Sequence, residues 1–201
     1  MDMFILVMLA ATGAYILKSR DEQRRIALLA NYLGKYQIEK LMETLTQGYL
    51  RALGEDDPAR REQIWHLLDS TEAKLASQFS SFVTEFAQVD ALEARVSTFA
   101  LSIPYARQMF PDATFDLRKV LAVHAQGISQ AVNNSLNRSP KDKAFALSAE
   151  MLLMQHTCHW FCKSKTVASA RMQVRHQTAY AQLVAAVAPE TRRAYTALTG
   201  Q

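Results

Sequence analysis

The chain has little glycine and little proline, six and five residues in 201. That scarcity argues against a turn-rich β fold and leaves no glycine-rich loop to cradle a phosphate or dinucleotide. There is no H-E-x-x-H, no G-x-S-x-G and no C-x-x-C. Metalloprotease, nucleophile-elbow and dithiol redox chemistry therefore find no signature, and no catalytic residue is assigned. Repeats at a solenoid period are missing too. The only cysteines, Cys158 and Cys162, lie four residues apart, a poor geometry for a disulfide within one helix. No other cysteine offers a disulfide framework, which agrees with a reducing compartment. Acid also runs out: residues 151–201 carry six basic side chains and one acidic one, Glu190.

One long apolar run is present. Residues 3–17 hold no charge, and only Thr12, Gly13 and Tyr15 interrupt the aliphatic series. As a helix, fifteen to eighteen residues reach roughly 23–27 Å, just short of a hydrocarbon core of about 30 Å. Snorkelling by Lys18 and Arg20 closes part of that gap. A cleaved signal peptide needs a basic n-region, whereas this one has Asp2 and a weak cleavage site at residues 11–14. A buried core helix is the soluble alternative. An in-plane amphipathic helix needs a polar face, which the run lacks. The reading adopted is one membrane-spanning helix. Lys18, Arg20, Arg24 and Arg25 follow it at once, which places the N-terminus outside and the rest of the chain in the cytoplasm at the cell membrane.

The rest reads as helix. Apolar residues make up 49% of the chain, enough to exclude general disorder. Ile38, Leu41, Leu45, Tyr49 and Ala52 step by three or four, within a helix expected over residues 24–53. Nothing between Ile16 and Gly34 breaks a helix, so the span is free to continue inward. Asp57 then caps a helix with Pro58 in its first turn, expected over residues 58–87, with Phe79, Phe82 and Phe86 on its core face. Further helices are expected over residues 89–101, over 113–136 with Asp112 as cap, and over 140–187 with Ser139 as cap and a break near residues 163–165. A last one is expected over 189–198. Pro104 and Pro111 bracket a loop or single turn. The expected fold is all-α: a membrane anchor over residues 1–17, a juxtamembrane helix or neck over 18–57, and a bundle of about five or six helices over 58–201.

Two segments carry chemical interest. Residues 151–162 hold both cysteines with His156 and His159. On one helix Cys158, His159 and Cys162 can supply soft ligands to zinc or copper, with His124 or His176 as a fourth. The competing reading is a packing seam through Leu147, Met151, Met154, Cys158, Phe161 and Lys165, at alternating steps of four and three. A redox-responsive thiol is a further option. The second segment is the basic series Lys163, Lys165, Arg171, Arg175, His176, Arg192 and Arg193; its first four members are suited to anionic lipid or an acidic partner, and a solvated face is the alternative. No nucleic-acid motif accompanies it, so nucleic acid is not expected as a partner. The function expected is a membrane-tethered helical interaction or scaffold protein that binds a protein partner or itself, without a cofactor. The alternative is a metal- or redox-linked role for residues 156–162.

Overall fold

The computed structural model describes residues 2–200. Among them the elements are α1 (Asp2–Leu33), α2 (Ile38–Leu53), α3 (Pro58–Phe86), β1 (Arg95–Ser97), α4 (Ala106–Met109), β2 (Thr114–Asp116), α5 (Leu117–Asn133), α6 (Pro140–Cys162), α7 (Lys165–His176), α8 (Tyr180–Ala186) and α9 (Pro189–Thr199). The class is all-α, with one antiparallel two-stranded ribbon that pairs Val96 with Phe115.

The first helix has two halves of opposite character. Over residues 3–17 its large apolar side chains are 42–79% exposed, so no part of the bundle covers them. From Asp21 onward one face turns inward: Asp21, Glu22, Arg25 and Leu29 are buried, at helical spacings that share a face. By length and composition Met3–Leu33 is able to cross a membrane, and its most apolar window is 0% buried. A signal sequence has the same character, but a core helix does not.

α3 runs antiparallel to the inward half of α1. Arg24 meets Glu93 at 2.9 Å, Tyr32 stacks edge-on to Phe86 at 5.4 Å, and Tyr36 donates to Glu85 at 2.7 Å. α2 folds back along α3, with the Tyr49 hydroxyl 2.6 Å from Glu72 and its ring 5.9 Å from that of Trp65. The α2–α3 turn at residues 54–57 is therefore the end of the bundle farthest from the apolar run. α6 runs the length of the domain, from Lys143 beside Glu72 to Phe161, whose carbonyl accepts from Arg25 at 2.8 Å. One core joins Leu29, Ile38, Leu45, Phe79, Phe82, Phe86, Leu121, Leu147, Phe161 and Tyr195. Residues 18–57 thus share the core of the residues that follow, rather than standing off as a neck.

Several sequence expectations are corrected. The helix expected over residues 24–53 breaks at Gly34, where the chain turns and the Gln37 amide donates to the Gln78 side chain at 2.8 Å. Glycine's cost of about 1 kcal/mol in a helix interior favours a turn there without dictating one, since Gly48 sits inside α2; the Gln37–Gln78 bond fixes it. The helix expected over 89–101 is absent. Asp90 caps a turn by accepting from the amides of Leu92 and Glu93, and Arg95–Ser97 extends as β1. Pairing with β2 and the bond from the Trp160 indole to the Ser97 carbonyl at 2.9 Å outweigh a weak local preference. The cap of α5 is Asp116, not Asp112. The stretch over 140–187 breaks twice, at Lys163–Ser164 and at residues 177–179, giving α6, α7 and α8. Eight helices therefore follow α1 among the described residues, two of them seven residues or shorter.

Candidate functional site

The densest buried polar arrangement lies where the exposed half of α1 meets the bundle. The side chains of Asp21, Arg25 and Arg107 are each 5–6% exposed. Arg107 reaches Asp21 at 2.8 Å from the far side of the chain, and Arg25 reaches the same carboxylate at 3.2 Å from one turn on. Glu22, beside Asp21, holds Lys163 at 2.5 Å. Most of the remaining donors are used as well: Arg25 bonds the Phe161 carbonyl at 2.8 Å and Ser102 Oγ at 3.4 Å, and Arg107 bonds the Glu93 carbonyl at 3.1 Å, leaving Arg107 Nε without a protein acceptor. Charges taken out of water are tolerated only when paired and hydrogen-bonded in this way. The cluster ties α1 to α4 and to the end of α6, so the apolar half of α1 has a fixed starting direction relative to the bundle.

Across this cluster lies the segment 99–110. The turn around α4 is held to α1 by Arg107 and Ser102, and to itself by the edge contact of Phe99 with Phe110 at 5.4 Å. Tyr105 adopts a left-handed backbone, φ 55°, unusual for a bulky residue. Outside these anchors the segment shows apolar side chains to solvent: Leu101 is 67% exposed and Met109 63%. From sequence, residues 99–101 end an expected helix, and Pro104 and Pro111 bracket only a loop or single turn. The alternation of apolar residues with Arg107 was the available signal.

The basic series is divided by the fold. Lys163 is committed to Glu22, and the Lys165 ammonium lies over the rings of Tyr180 and Trp160 at 4.7 and 5.4 Å. The acid missing from the local sequence is supplied from 141 residues away. Arg171 and Arg175 are exposed on α7. Their charge, added to burial, helps hold the His159 imidazole down at about 4.

Cys158, His159 and Cys162 do not assemble a ligand set. Among the described residues no group of three or more His, Cys, Asp or Glu side chains converges as a metal requires. Cys158 is buried against Met154, sulfur to sulfur 3.9 Å, and burial pushes its thiol far up. Burial likewise raises the Cys162 thiol to about 11. Both cysteines therefore stand as neutral thiols at neutral pH, poor nucleophiles and poor ligands without a bound cation. Leu147, Met151, Met154, Cys158 and Phe161 are all buried, so the packing seam is present.

Of the two histidines proposed as a fourth ligand, His176 is half-buried at the end of α7, while His124, like His156, belongs elsewhere. His124 and His156 are fully buried. Nε2 of His124 lies 2.9 Å from Thr157 Oγ1, which itself donates to the Leu153 carbonyl, so the imidazole is the donor. His156 contacts Ser169 Oγ at 3.1 Å, and its ring centre lies 4.6 Å from that of Tyr180. Burial lowers His124 to about 3 and His156 to about 4. Both are neutral spacers between α5, α6, α7 and α8. No protein-family model matches the chain, and no curated protein or solved structure matches it.

Proposed function

We propose that the protein is a membrane-tethered helical interaction module: α1 spans the bilayer through residues 3–17 and carries the bundle, α2 to α9, rigidly on its cytoplasmic side. One observation carries the reading. A single helix is exposed on all sides where it is apolar and buried on one face where it becomes charged. Water is a poor solvent for the first half at about 25 cal/mol per Å² of apolar surface, and the bundle offers it no cover. Lys18 and Arg20 at the boundary support the inward orientation.

The interaction role is supported by the opposite end of the molecule. Leu67, 73% exposed, lines a groove of about 540 Å³ with Gln47, Arg51 and Ile64, while Leu50 and Leu53, 67% and 51% exposed, lie outside it at the end of α2. Exposed leucines at this end of the molecule suit a protein partner or a second copy.

Alkaline extraction of membranes carrying the full chain tests the tether. The intact chain stays in the pellet. Leu6→Arg with Leu9→Arg, at about 2.5–3.5 kcal/mol per charge placed mid-span, moves it to the supernatant. Release of the unsubstituted chain refutes the span. Photo-crosslinkers at positions 50, 53 and 67 test the partner face. They should give discrete adducts that a crosslinker at Gln23, exposed on α1, does not.

A further inference from the structure

We infer that the segment 99–110 is a second membrane contact, a monolayer-inserted apolar turn that lies on the headgroup region beside the exit of α1. The inference rests on the span reading above, and its occupant is the lipid interface itself.

The position follows from the ion-pair cluster. Arg107 grips Asp21 and Ser102 meets Arg25, three and seven residues beyond Lys18. At 1.5 Å per residue those levels are roughly 5 and 10 Å past the end of the span. The interfacial layer on one side of a bilayer is about 5–8 Å deep, the difference between a 40–45 Å membrane and its 30 Å core shared by two faces. The Asp21–Arg107 joint therefore falls within that layer and the Arg25–Ser102 contact just beyond it, which puts the turn around α4 at the headgroup boundary.

Its exposed surface matches that depth. Leu101, Ile103, Tyr105, Met109 and Phe110 are 41–67% exposed, a grouping of aliphatic and aromatic side chains unusual for water. Aromatic rings favour the membrane–water boundary, and Tyr105 and Phe110 add two beside Tyr15 on α1. The charges beneath are compatible. Asp21 and Glu22, which would repel anionic headgroups, are neutralised by Arg25, Arg107 and Lys163, while Arg20 stays exposed. The left-handed turn at Tyr105 is the kind of local strain that the surrounding contacts hold in place. Anchored at two points, the bundle would be held with the α2–α3 turn pointing away from the membrane: Leu67 lies 19 residues before Phe86 on α3, roughly 28 Å further out.

Depth-dependent fluorescence quenching in the full chain tests this. Leu101→Trp, Met109→Trp, Leu67→Trp and Leu6→Trp are each reconstituted into vesicles of phosphatidylcholine and phosphatidylglycerol. Lipids brominated high on the acyl chain serve as quencher, and emission is compared with the unsubstituted chain to remove Trp65 and Trp160. The inference predicts strong quenching at positions 101 and 109, little at 67, and quenching at 6. Quenching at position 6 with none at 101 and 109 overturns the second contact and leaves the span intact. No quenching at position 6 removes the span and this inference with it. Equal quenching at 67, 101 and 109 overturns the defined orientation on which the inference depends.

Discussion

Asp21→Ala is the sharpest perturbation of the joint between anchor and bundle. The carboxylate is 6% exposed and is shared by Arg107 at 2.8 Å and Arg25 at 3.2 Å. Without it two guanidinium groups face each other in a site with little water. Carbonyl oxygens of Phe161 and Glu93 remain as acceptors, but Glu22 is already engaged by Lys163. Removing one member of a buried ion pair costs about 3–5 kcal/mol, because the remaining charge is buried unpaired. For a chain of this size 1 kcal/mol moves the thermal midpoint by about 2–4 °C, so the loss should be about 6–20 °C. The assay is thermal unfolding of the full chain in nanodiscs, followed by circular dichroism. Arg107→Met provides the comparison. It keeps the apolar stem and leaves Asp21 paired with Arg25, so it should cost distinctly less. A midpoint for Asp21→Ala within about 2 °C of the parent, or a larger loss for Arg107→Met, would refute the reasoning.

Three further outcomes follow. His124 and His156 are buried and neutral, their pKa lowered by burial from an ordinary 6.5 to about 3 and about 4. Their contribution is present above pH 6.5 and is lost as pH falls toward those values, because the unfolded chain takes up protons first. At pH 5.5 each should cost about 1.4 kcal/mol, read as a falling urea midpoint, and His124→Gln should flatten the profile. Gly127→Ala puts a methyl carbon 2.4 Å from Glu150 Oε2 and 2.6 Å from Thr191 Oγ1, both on buried residues. Overpacking at about 1–3 kcal/mol should exceed the roughly 1 kcal/mol that alanine gains in a helix, whereas Gly13→Ala, inside α1 with open space around it, should leave the midpoint unchanged or raise it. Full chain purified under reducing conditions should hold no stoichiometric zinc or copper by elemental analysis. A one-to-one content lost on Cys162→Ser would revive the metal reading.

Periodicity made the long elements legible. The stripe Ile38, Leu41, Leu45, Tyr49 and Ala52 is the buried face of α2, and Phe79, Phe82 and Phe86 are that of α3. Asp57 and Ser139 cap the helices that their prolines announce. Short elements were hidden. β1 spans three residues, too few for an alternation to register, and it exists because β2 and Trp160 supply partners 17 to 63 residues away. The joint at Asp21 was hidden for the same reason. Lys18, Arg20, Arg24 and Arg25 look like one basic flank, yet Arg25 is buried among acids and carbonyls while Arg20 is exposed. Likewise Lys163 is unpaired in its own segment and paired in space. Charge counted along a chain does not report which charges the fold consumes.

The central claim is that residues 18–201 lie on the cytoplasmic side of a membrane, joined without cleavage to a spanning α1. A reporter enzyme active only outside the cytoplasm, fused after Gln201, measures this most directly when paired with sequencing of the mature N-terminus. A silent reporter on an intact, membrane-bound chain is the expected result. Strong reporter activity, or a mature chain beginning near Tyr15, would contradict it.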